Sequence, residues 1–295
     1  MTPSARAVLI EDDSKIAGTF CSRGNFTLIT LKPEKFVKRP MAIFGLMTLV
    51  LLMGAVGACA QAGSEDESKG GAGTVFITGA NRGLGLEFAR QYAEAGWQVV
   101  GTARRPDAAT DLKALDVRVM QLDVTNQESV DRLAHDLGDH PIDLLINNAG
   151  IFPMAATLPE IDFDNITRTL AVNTVGPMRV TRALLSNLRR GKAKTIVNIT
   201  SNLGSIADNK NGSFYGYRES KAALNMFTRS LAAELRDEGF TCIVMNPGWV
   251  QTDMGGANAP LHAPESISGM RVVIDRLTPA DSGTFWTYEG KQMPW

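Results

Sequence analysis

Tyr217 and Lys221 are the two residues of this sequence whose types and spacing best suit acid–base chemistry. A helix is predicted from 217 to 237, and residues four apart on a helix share one face. A free phenol, with a pKa of about 10, is a poor proton donor or acceptor at neutral pH. A nearby ammonium favours the phenolate and lowers that pKa. The pair therefore predicts an acid–base centre in which Tyr217 moves the proton.

Tyr215 is a competing phenol in the same segment. It precedes Lys221 by six residues, which is about 240° around a helix, so it would face away from the ammonium. Tyr217 is therefore the preferred acid–base residue.

The composition indicates which kinds of protein and which partners to expect. The chain has 295 residues, of which 44% are hydrophobic and 21% charged, and this is typical of a globular protein. A formal net charge of -1 gives no reason to expect a nucleic acid as partner. The three histidines and three cysteines are scattered and match no metal-ligand spacing, so no metal site is predicted.

Strand-like and helix-like segments alternate from residue 74 to the end of the sequence. Strands are predicted at 74–78, 97–101, 117–122, 142–146, 194–200, 240–245 and 285–288. Helices are predicted at 84–95, 129–137, 163–188 and 217–237. Short, regular alternation of this kind indicates βαβ units on a parallel sheet. We therefore expect residues 74–295 to form one α/β domain, a doubly wound parallel sheet of three layers.

Three glycines join the first predicted strand to the first predicted helix. Gly79, Gly83 and Gly85 have the spacing G-x-x-x-G-x-G. Glycines allow a tight turn and let backbone amides approach a pyrophosphate at a helix N-terminus. The position between strand and helix favours a dinucleotide site over a plain turn.

With its preceding threonine, this turn resembles the T-G-x-x-x-G-x-G motif of the short-chain dehydrogenase/reductase family. Further motifs follow in the family's order: N-N-A-G at 147–150, Y-x-x-x-K at 217–221 and P-G at 247–248. The resemblance covers essentially all of residues 74–295 and implies a Rossmann-type fold. Within the family, segments such as 247–256 are similar to the C-factor and sniffer-type carbonyl reductases.

The resemblance implies four catalytic residues: Asn173, Ser201, Tyr217 and Lys221. Ser201 would stabilise the substrate oxygen by a hydrogen bond, and Asn173 would anchor a water that links Lys221 to solvent. Thr200 is the alternative to Ser201, because the separation of sixteen residues between Ser201 and Tyr217 is a few more than is common in the family.

The resemblance also implies the cofactor site. Asp123 would lie against an adenine ring, Thr252 would meet the nicotinamide carboxamide, and Lys221 would hold the nicotinamide ribose. The complete expected set is Gly79, Asn81, Arg82, Gly83, Leu84, Gly85, Arg104, Asp123, Val124, Asn148, Ala149, Gly150, Tyr217, Lys221, Pro247, Gly248, Val250 and Thr252.

Charge after the second predicted strand favours NADP over NAD. NAD enzymes usually carry a carboxylate there, whereas residues 101–106 contain Arg104 and Arg105 and no acid. A guanidinium suits a 2′-phosphate through its charge and fork geometry. Arg82 occupies the second position at which NADP-preferring family members carry a base. The competing interpretation is that these arginines belong to a solvated surface.

These observations together predict an NADP(H)-dependent oxidoreductase that interconverts a small carbonyl compound and its alcohol, with homo-oligomers expected from the family analogy alone. The alternative is a cofactor-binding signalling protein of the C-factor type, with little or no turnover.

The first 73 residues have a different character. In residues 1–40 the apolar residues do not recur at helical or strand spacing. Residues 61–73 are predicted to form a flexible linker of glycine, serine and acidic residues. Residues 41–60 are uncharged and follow basic residues, which predicts an export signal or a membrane anchor. Their end at Cys59 resembles a bacterial lipoprotein signal, and translation from Val37 would give that signal a short basic start. We expect a membrane-associated or exported protein, with a cytoplasmic catalytic domain as the alternative.

Overall fold

Seven parallel strands form the centre of the structure, a computed structural model that describes residues 72–153 and 157–295 together with two short strands near the N-terminus. The strands are β1 (Thr74–Ile77), β2 (Gln98–Ala103), β3 (Arg118–Gln121), β4 (Leu144–Asn147), β5 (Thr195–Ile199), β6 (Thr241–Asn246) and β7 (Phe285–Thr287). Their spatial order is β3-β2-β1-β4-β5-β6-β7, and each neighbouring pair is parallel. The order reverses between β1 and β4, and a crevice forms at the carboxyl ends of strands at such a point.

Helices cover both faces of this sheet. They are α1 (Gly83–Glu94), α2 (Thr110–Lys113), α3 (Gln127–Leu137), α4 (Phe163–Leu170), α5 (Gly176–Arg190), α6 (Tyr217–Glu234) and α7 (Ala263–Asp275). One hydrophobic core holds α1, α2 and α7 against the sheet, and a second holds α3, α5 and α6 against the other face. The predicted doubly wound, three-layer α/β domain is confirmed.

The single helix predicted at 163–188 is divided. A π-helical turn, Ala171–Val175, separates α4 from α5, and Pro177 lies in the first turn of α5. A π turn adds one residue to a helix without breaking it, so the spacing of apolar residues along the sequence does not reveal the turn. Such turns frequently mark functional sites.

The helix α7 was not predicted. It joins β6 to β7, two parallel strands that need a long crossover connection. The Gln91 side chain donates to the Pro264 carbonyl at 3.0 Å, and Arg271 donates to the Gln91 carbonyl at 2.9 Å. These bonds hold α7 against α1, so α7 belongs to the same layer of the domain as α1.

The chain divides into two compact units, Met1–Gly63 and Ser64–Trp295. In the first unit, Cys21–Ser22 pairs with Asn25–Phe26 as antiparallel strands. The signal or anchor predicted at 41–60, Cys59, the start at Val37 and nearly all of the linker lie outside the described residues. Among the residues that are described, no helix is both long enough and apolar enough to cross a membrane.

Candidate active site

A cavity of about 710 Å³ opens beside the carboxyl ends of the central strands. It is lined by every residue expected to bind the cofactor except Gly248 and Val250. Residues from both sides of the β1–β4 junction meet in it, as the strand order requires. We call this cavity the cleft.

The glycine turn packs so tightly that one position excludes any side chain. A Cβ atom on Gly85 would lie 2.2 Å from the Gly79 carbonyl oxygen and 2.6 Å from Asn148 Nδ2. Gly79 and Gly83 adopt φ angles of +65° and +53°, which favour glycine. Gly83 and Leu84 begin α1 and line the cleft, and the first amides of a helix have no partner within it. This part of the cleft is therefore suited to a phosphate.

Thr78 joins the glycine turn to the N-N-A-G segment. Its buried hydroxyl accepts hydrogen bonds from the backbone amides of Asn148, at 2.9 Å, and Ala149, at 3.0 Å. In return, Asn148 Nδ2 donates to the carbonyl oxygens of Thr78 and Gly79 at 3.0 and 3.1 Å. Sequence reasoning gave Thr78 no role, although it lies directly before the first glycine of the motif.

Two exposed arginines and one carboxylate lie on the β2 and β3 side of the cleft. Arg104 and Arg105 follow β2, and Asp123 follows β3. Burial opposes ionisation of Asp123, but hydrogen bonds from the Thr125 amide and hydroxyl, at 2.9 and 2.6 Å, with the charge of Arg104, lower its pKa on balance. Asp123 is therefore a carboxylate at neutral pH.

The Arg82 side chain forms an ion pair with the Asp253 carboxylate. Its Nη1 atom lies 2.7 Å from Oδ2 of Asp253, and the two side chains are 69% and 75% exposed. The adjacent residues are also close, because a Cβ atom on Gly83 would lie 3.5 Å from the Thr252 methyl group. The glycine turn and the segment after β6 therefore meet beside the cleft.

Tyr217 and Lys221, the pair predicted to carry acid–base chemistry, lie at the start of α6. Tyr217 is the first residue of the helix, and Lys221 follows one turn later. Lys221 Nζ donates to the carbonyl oxygen of Ile199 at 2.9 Å and lies 5.6 Å from the centre of the Tyr217 ring. Tyr215 precedes the helix and does not line the cleft.

Burial shifts the pKa of both groups. It raises the pKa of Tyr217 to about 12, which a side-chain hydrogen bond with Ser201 opposes only in part. It lowers the pKa of Lys221 to about 8. The lowered phenol pKa expected from the sequence is not found here, since the phenol is desolvated and the ammonium bonds to Ile199.

The two candidate hydroxyls after β5 have different partners. Ser201 interacts with Tyr217 and lowers its pKa in part. The Ser201 hydroxyl accepts from the Leu203 amide and donates to Asn202 Oδ1, both at 3.2 Å. The buried Thr200 hydroxyl donates to Asn225 Oδ1 at 2.7 Å. Only one of the two, Ser201, is therefore joined to the phenol.

Aromatic rings border the Tyr217 phenol. The ring of Phe152 lies edge-on to it, with centroids 4.5 Å apart, and Phe214 lies 5.7 Å from Phe152. Phe152 therefore packs against the Tyr217 ring, and Phe214 packs behind Phe152.

Asn173 lies in the π turn and is buried. Its side chain accepts from the Ile151 amide and donates to the Ile151 carbonyl, both at 2.9 Å, and it also donates to Ser220 Oγ at 3.0 Å. A Cβ atom on Gly150 would lie 3.4 Å from Asn173 Oδ1 and 3.8 Å from Lys221 Nζ. The asparagine and the lysine therefore border one small space beside Gly150.

Comparison with known proteins places this geometry in a family. The family model for short chain dehydrogenase matches residues 73–260. The C-signal protein of Myxococcus xanthus is 49% identical over 155 residues, which are 52% of this chain and 93% of that protein.

This chain belongs to the short-chain dehydrogenase family.

Solved structures of carbonyl reductases share this fold. The carbonyl reductase Sniffer of D. melanogaster has a TM-score of 0.71 and 33% sequence identity, covering 76% of this chain and 99% of its own. The NADPH-bound carbonyl reductase from chicken fatty liver has a TM-score of 0.72 and 35% identity, covering 75% and 98%. The similarity to the C-factor and sniffer-type members that the sequence indicated is confirmed.

Some residues of this short-chain dehydrogenase cleft were not singled out from the sequence. Asp253 and Met254 follow Thr252 directly, so extension of the P-G motif would have included them. Arg168, on α4, lines the cleft without any local sequence signal. Its position depends on where α4 packs, which only the fold determines.

Proposed function

We propose that this short-chain dehydrogenase is an NADP(H)-dependent carbonyl reductase. The observation that carries the proposal is the position of Tyr217, which lines the cleft, hydrogen-bonds Ser201 and lies one helical turn from Lys221. A protein that only bound a dinucleotide would not need this arrangement. Its substrate is a small carbonyl compound or the corresponding alcohol.

The residues of the cleft fit a phosphorylated dinucleotide. Gly83 and Leu84 begin α1 and line the cleft, where the N-terminal amides of the helix suit a pyrophosphate. Arg104 and Arg105 supply charge for the additional phosphate of NADP. The NADPH-bound chicken carbonyl reductase supports this choice of cofactor.

Each catalytic side chain then has a defined task. When bound in the cleft, NADPH would supply a hydride for the carbonyl carbon. Tyr217 would give its proton to the carbonyl oxygen, so that the product would be an alcohol. Ser201 donates to the same oxygen and stabilises its developing negative charge. Lys221, with a pKa of about 8, is mostly protonated at neutral pH and stabilises the phenolate left on Tyr217.

The test is NADPH and NADH oxidation by the full chain with a panel of aldehydes, ketones and quinones. Tyr217→Phe removes only the hydroxyl, and Tyr215→Phe is the matched control two residues away. We expect turnover with NADPH that Tyr217→Phe abolishes and Tyr215→Phe retains. Turnover that survives in Tyr217→Phe would refute the assignment of the acid.

The similarity to the Myxococcus xanthus C-signal protein favours a second candidate, a cofactor-binding signalling protein with little turnover. In that case NADPH would bind to the wild-type chain, yet no compound of the panel would be reduced in a manner that Tyr217→Phe removes.

For residues 41–60 the proposal rests on sequence alone: they direct the chain to a membrane or to export. Cell fractionation of the full chain, compared with a chain lacking 41–60 and with Cys59→Ser, tests this proposal. Recovery of the full chain in the soluble cytoplasmic fraction would refute it. If the single substitution Cys59→Ser releases the chain from the membrane fraction, the protein is a lipoprotein.

A further inference from the structure

Asp253 holds an arginine at a place where a cofactor phosphate is expected. The amide of Ala80, in the glycine turn, donates to the Thr102 carbonyl in β2 at 2.8 Å. Arg82 follows Ala80 by two residues, and Arg104 follows Thr102 by two. The two arginines therefore extend from adjacent backbone, and both line the cleft. Arg82 lies 2.7 Å from Asp253.

The ion pair is of a kind that a stronger anion can replace. Both side chains are more than two-thirds exposed, and exposed ion pairs shift an equilibrium by a factor of about five at most. A phosphate monoester carries a charge of about −1.5 to −2 at neutral pH and can accept two parallel hydrogen bonds from a guanidinium. A phosphate beside Arg82 therefore competes favourably with the Asp253 carboxylate.

We propose that Asp253 is a specificity-determining residue, which sets the discrimination between NADPH and NADH by competing with the 2′-phosphate for Arg82. This inference rests on the proposed cofactor site. Binding of NADPH exchanges the Asp253 carboxylate for the 2′-phosphate on Arg82. NADH has no such phosphate and leaves the ion pair intact. The carboxylate therefore weakens the binding of NADPH selectively.

The experiment measures dissociation constants of NADPH and NADH for the full chain by fluorescence titration, without substrate. Asp253→Asn removes the charge and keeps the size. We expect its dissociation constant for NADPH to fall about three- to fivefold and that for NADH to change less than twofold. Asp139→Asn is the matched control, because Asp139 forms a 2.7 Å ion pair with Arg190 and neither residue lines the cleft. It should alter neither constant.

Arg82→Gln tests whether the effect passes through the arginine. In that background, Asp253→Asn should no longer change the NADPH constant. If Asp253→Asn tightens NADPH binding equally with and without Arg82, the Asp253 carboxylate repels the phosphate directly, and the inference is overturned. Equal weakening of NADPH and NADH by Asp253→Asn would also overturn it, since the pair would then serve to hold the two segments together.

The proposed function fails in a different way. A wild-type chain that binds NADH more tightly than NADPH refutes the cofactor preference, while the response to Asp253→Asn still decides the role of Asp253. A wild-type chain that binds neither cofactor refutes both.

Discussion

The ammonium nitrogen of Lys221 lies 5.6 Å from the centre of the Tyr217 ring, yet it donates its hydrogen bond to the carbonyl oxygen of Ile199 at 2.9 Å. Ile199 is the last residue of β5, so the end of a central strand fixes the position of the charge. The ammonium is therefore anchored to the end of the strand. The Lys221 side chain is also buried, so its protonation is linked to folding.

Stability should rise with pH because of Lys221. Its pKa is about 8 in the folded chain, below the ordinary value of 10.5, so between these values the unfolded chain binds more protons. The free energy of unfolding should therefore increase from pH 8 to pH 10, by about 2 to 3 kcal/mol for this group. Lys221→Met should lack that increase. Denaturant unfolding of both chains from pH 7 to pH 10 measures it, and equal slopes would contradict the prediction.

Tyr217 should act in the opposite direction at higher pH. Its pKa is raised to about 12, so the folded chain keeps the phenolic proton at a pH where the unfolded chain loses it. Stability from this group is complete below a pH of about 10 and is lost as the pH rises toward 12. Wild type should lose more stability than Tyr217→Phe from pH 10 to pH 12. Parallel unfolding curves would show that the phenol is not desolvated.

Replacing Thr78 by valine keeps the shape and removes one oxygen. The amides of Asn148 and Ala149 would then lose their acceptor, so we expect a loss of about 2 kcal/mol in unfolding free energy. Thr167→Val is the control, because the Thr167 hydroxyl is exposed on α4. A loss no greater than that of the control would mean that the Thr78 hydroxyl does not hold the two segments together.

Removing the Asn173 side chain should loosen the backbone at Ile151. Asn173→Ala leaves both polar groups of Ile151 without their partner, and we expect a loss of about 2 to 3 kcal/mol. Because Ile151 lines the cleft, the dissociation constant for NADPH should also increase. Thermal unfolding and NADPH titration measure the two effects, with exposed Asn211→Ala as control. Wild-type stability in Asn173→Ala would refute this role.

Arg104→Gln should raise the dissociation constant of NADPH about tenfold and that of NADH less than twofold. Hydrogen bonds from charged groups to phosphate are strong, and only NADPH carries the additional phosphate. Arg236→Gln removes a charge from an exposed arginine outside the cleft and serves as control. Titration of both cofactors measures the ratio. If Arg104→Gln weakens both cofactors equally, Arg104 does not distinguish them.

The sequence was sufficient for the sheet, because most strands are short apolar runs bounded by turn residues, and β3, whose end residues Arg118 and Gln121 are exposed, still has an apolar centre. It was not sufficient for α7, where Ser266, Ser268 and Gly269 dilute the apolar period. A Cβ atom on Gly269 would lie 2.6 Å from the Tyr288 carbonyl, so this glycine serves packing against a distant segment.

The cleft residues were predicted from local motifs, whereas their partners were not. Arg82 and Asp253 are 171 positions apart, and no local pattern joins them. The raised pKa of Tyr217 likewise depends on burial by segments far along the chain, among them Phe152. Motifs therefore indicated which residues line the cleft, while their partners and the charge state that each adopts required the fold.

The junction between β1 and β4 has a consequence for how the chain acquires its activity during folding. Val75 pairs with Leu144, and Asn148 bonds to Thr78 across 70 positions, so this contact closes a long loop. Long loops close late, after local strand–helix units have formed. The cleft lies across this junction and is absent until the two halves of the sheet join. In a refolding experiment, recovery of NADPH binding should therefore lag behind the helical signal and report the union of the halves.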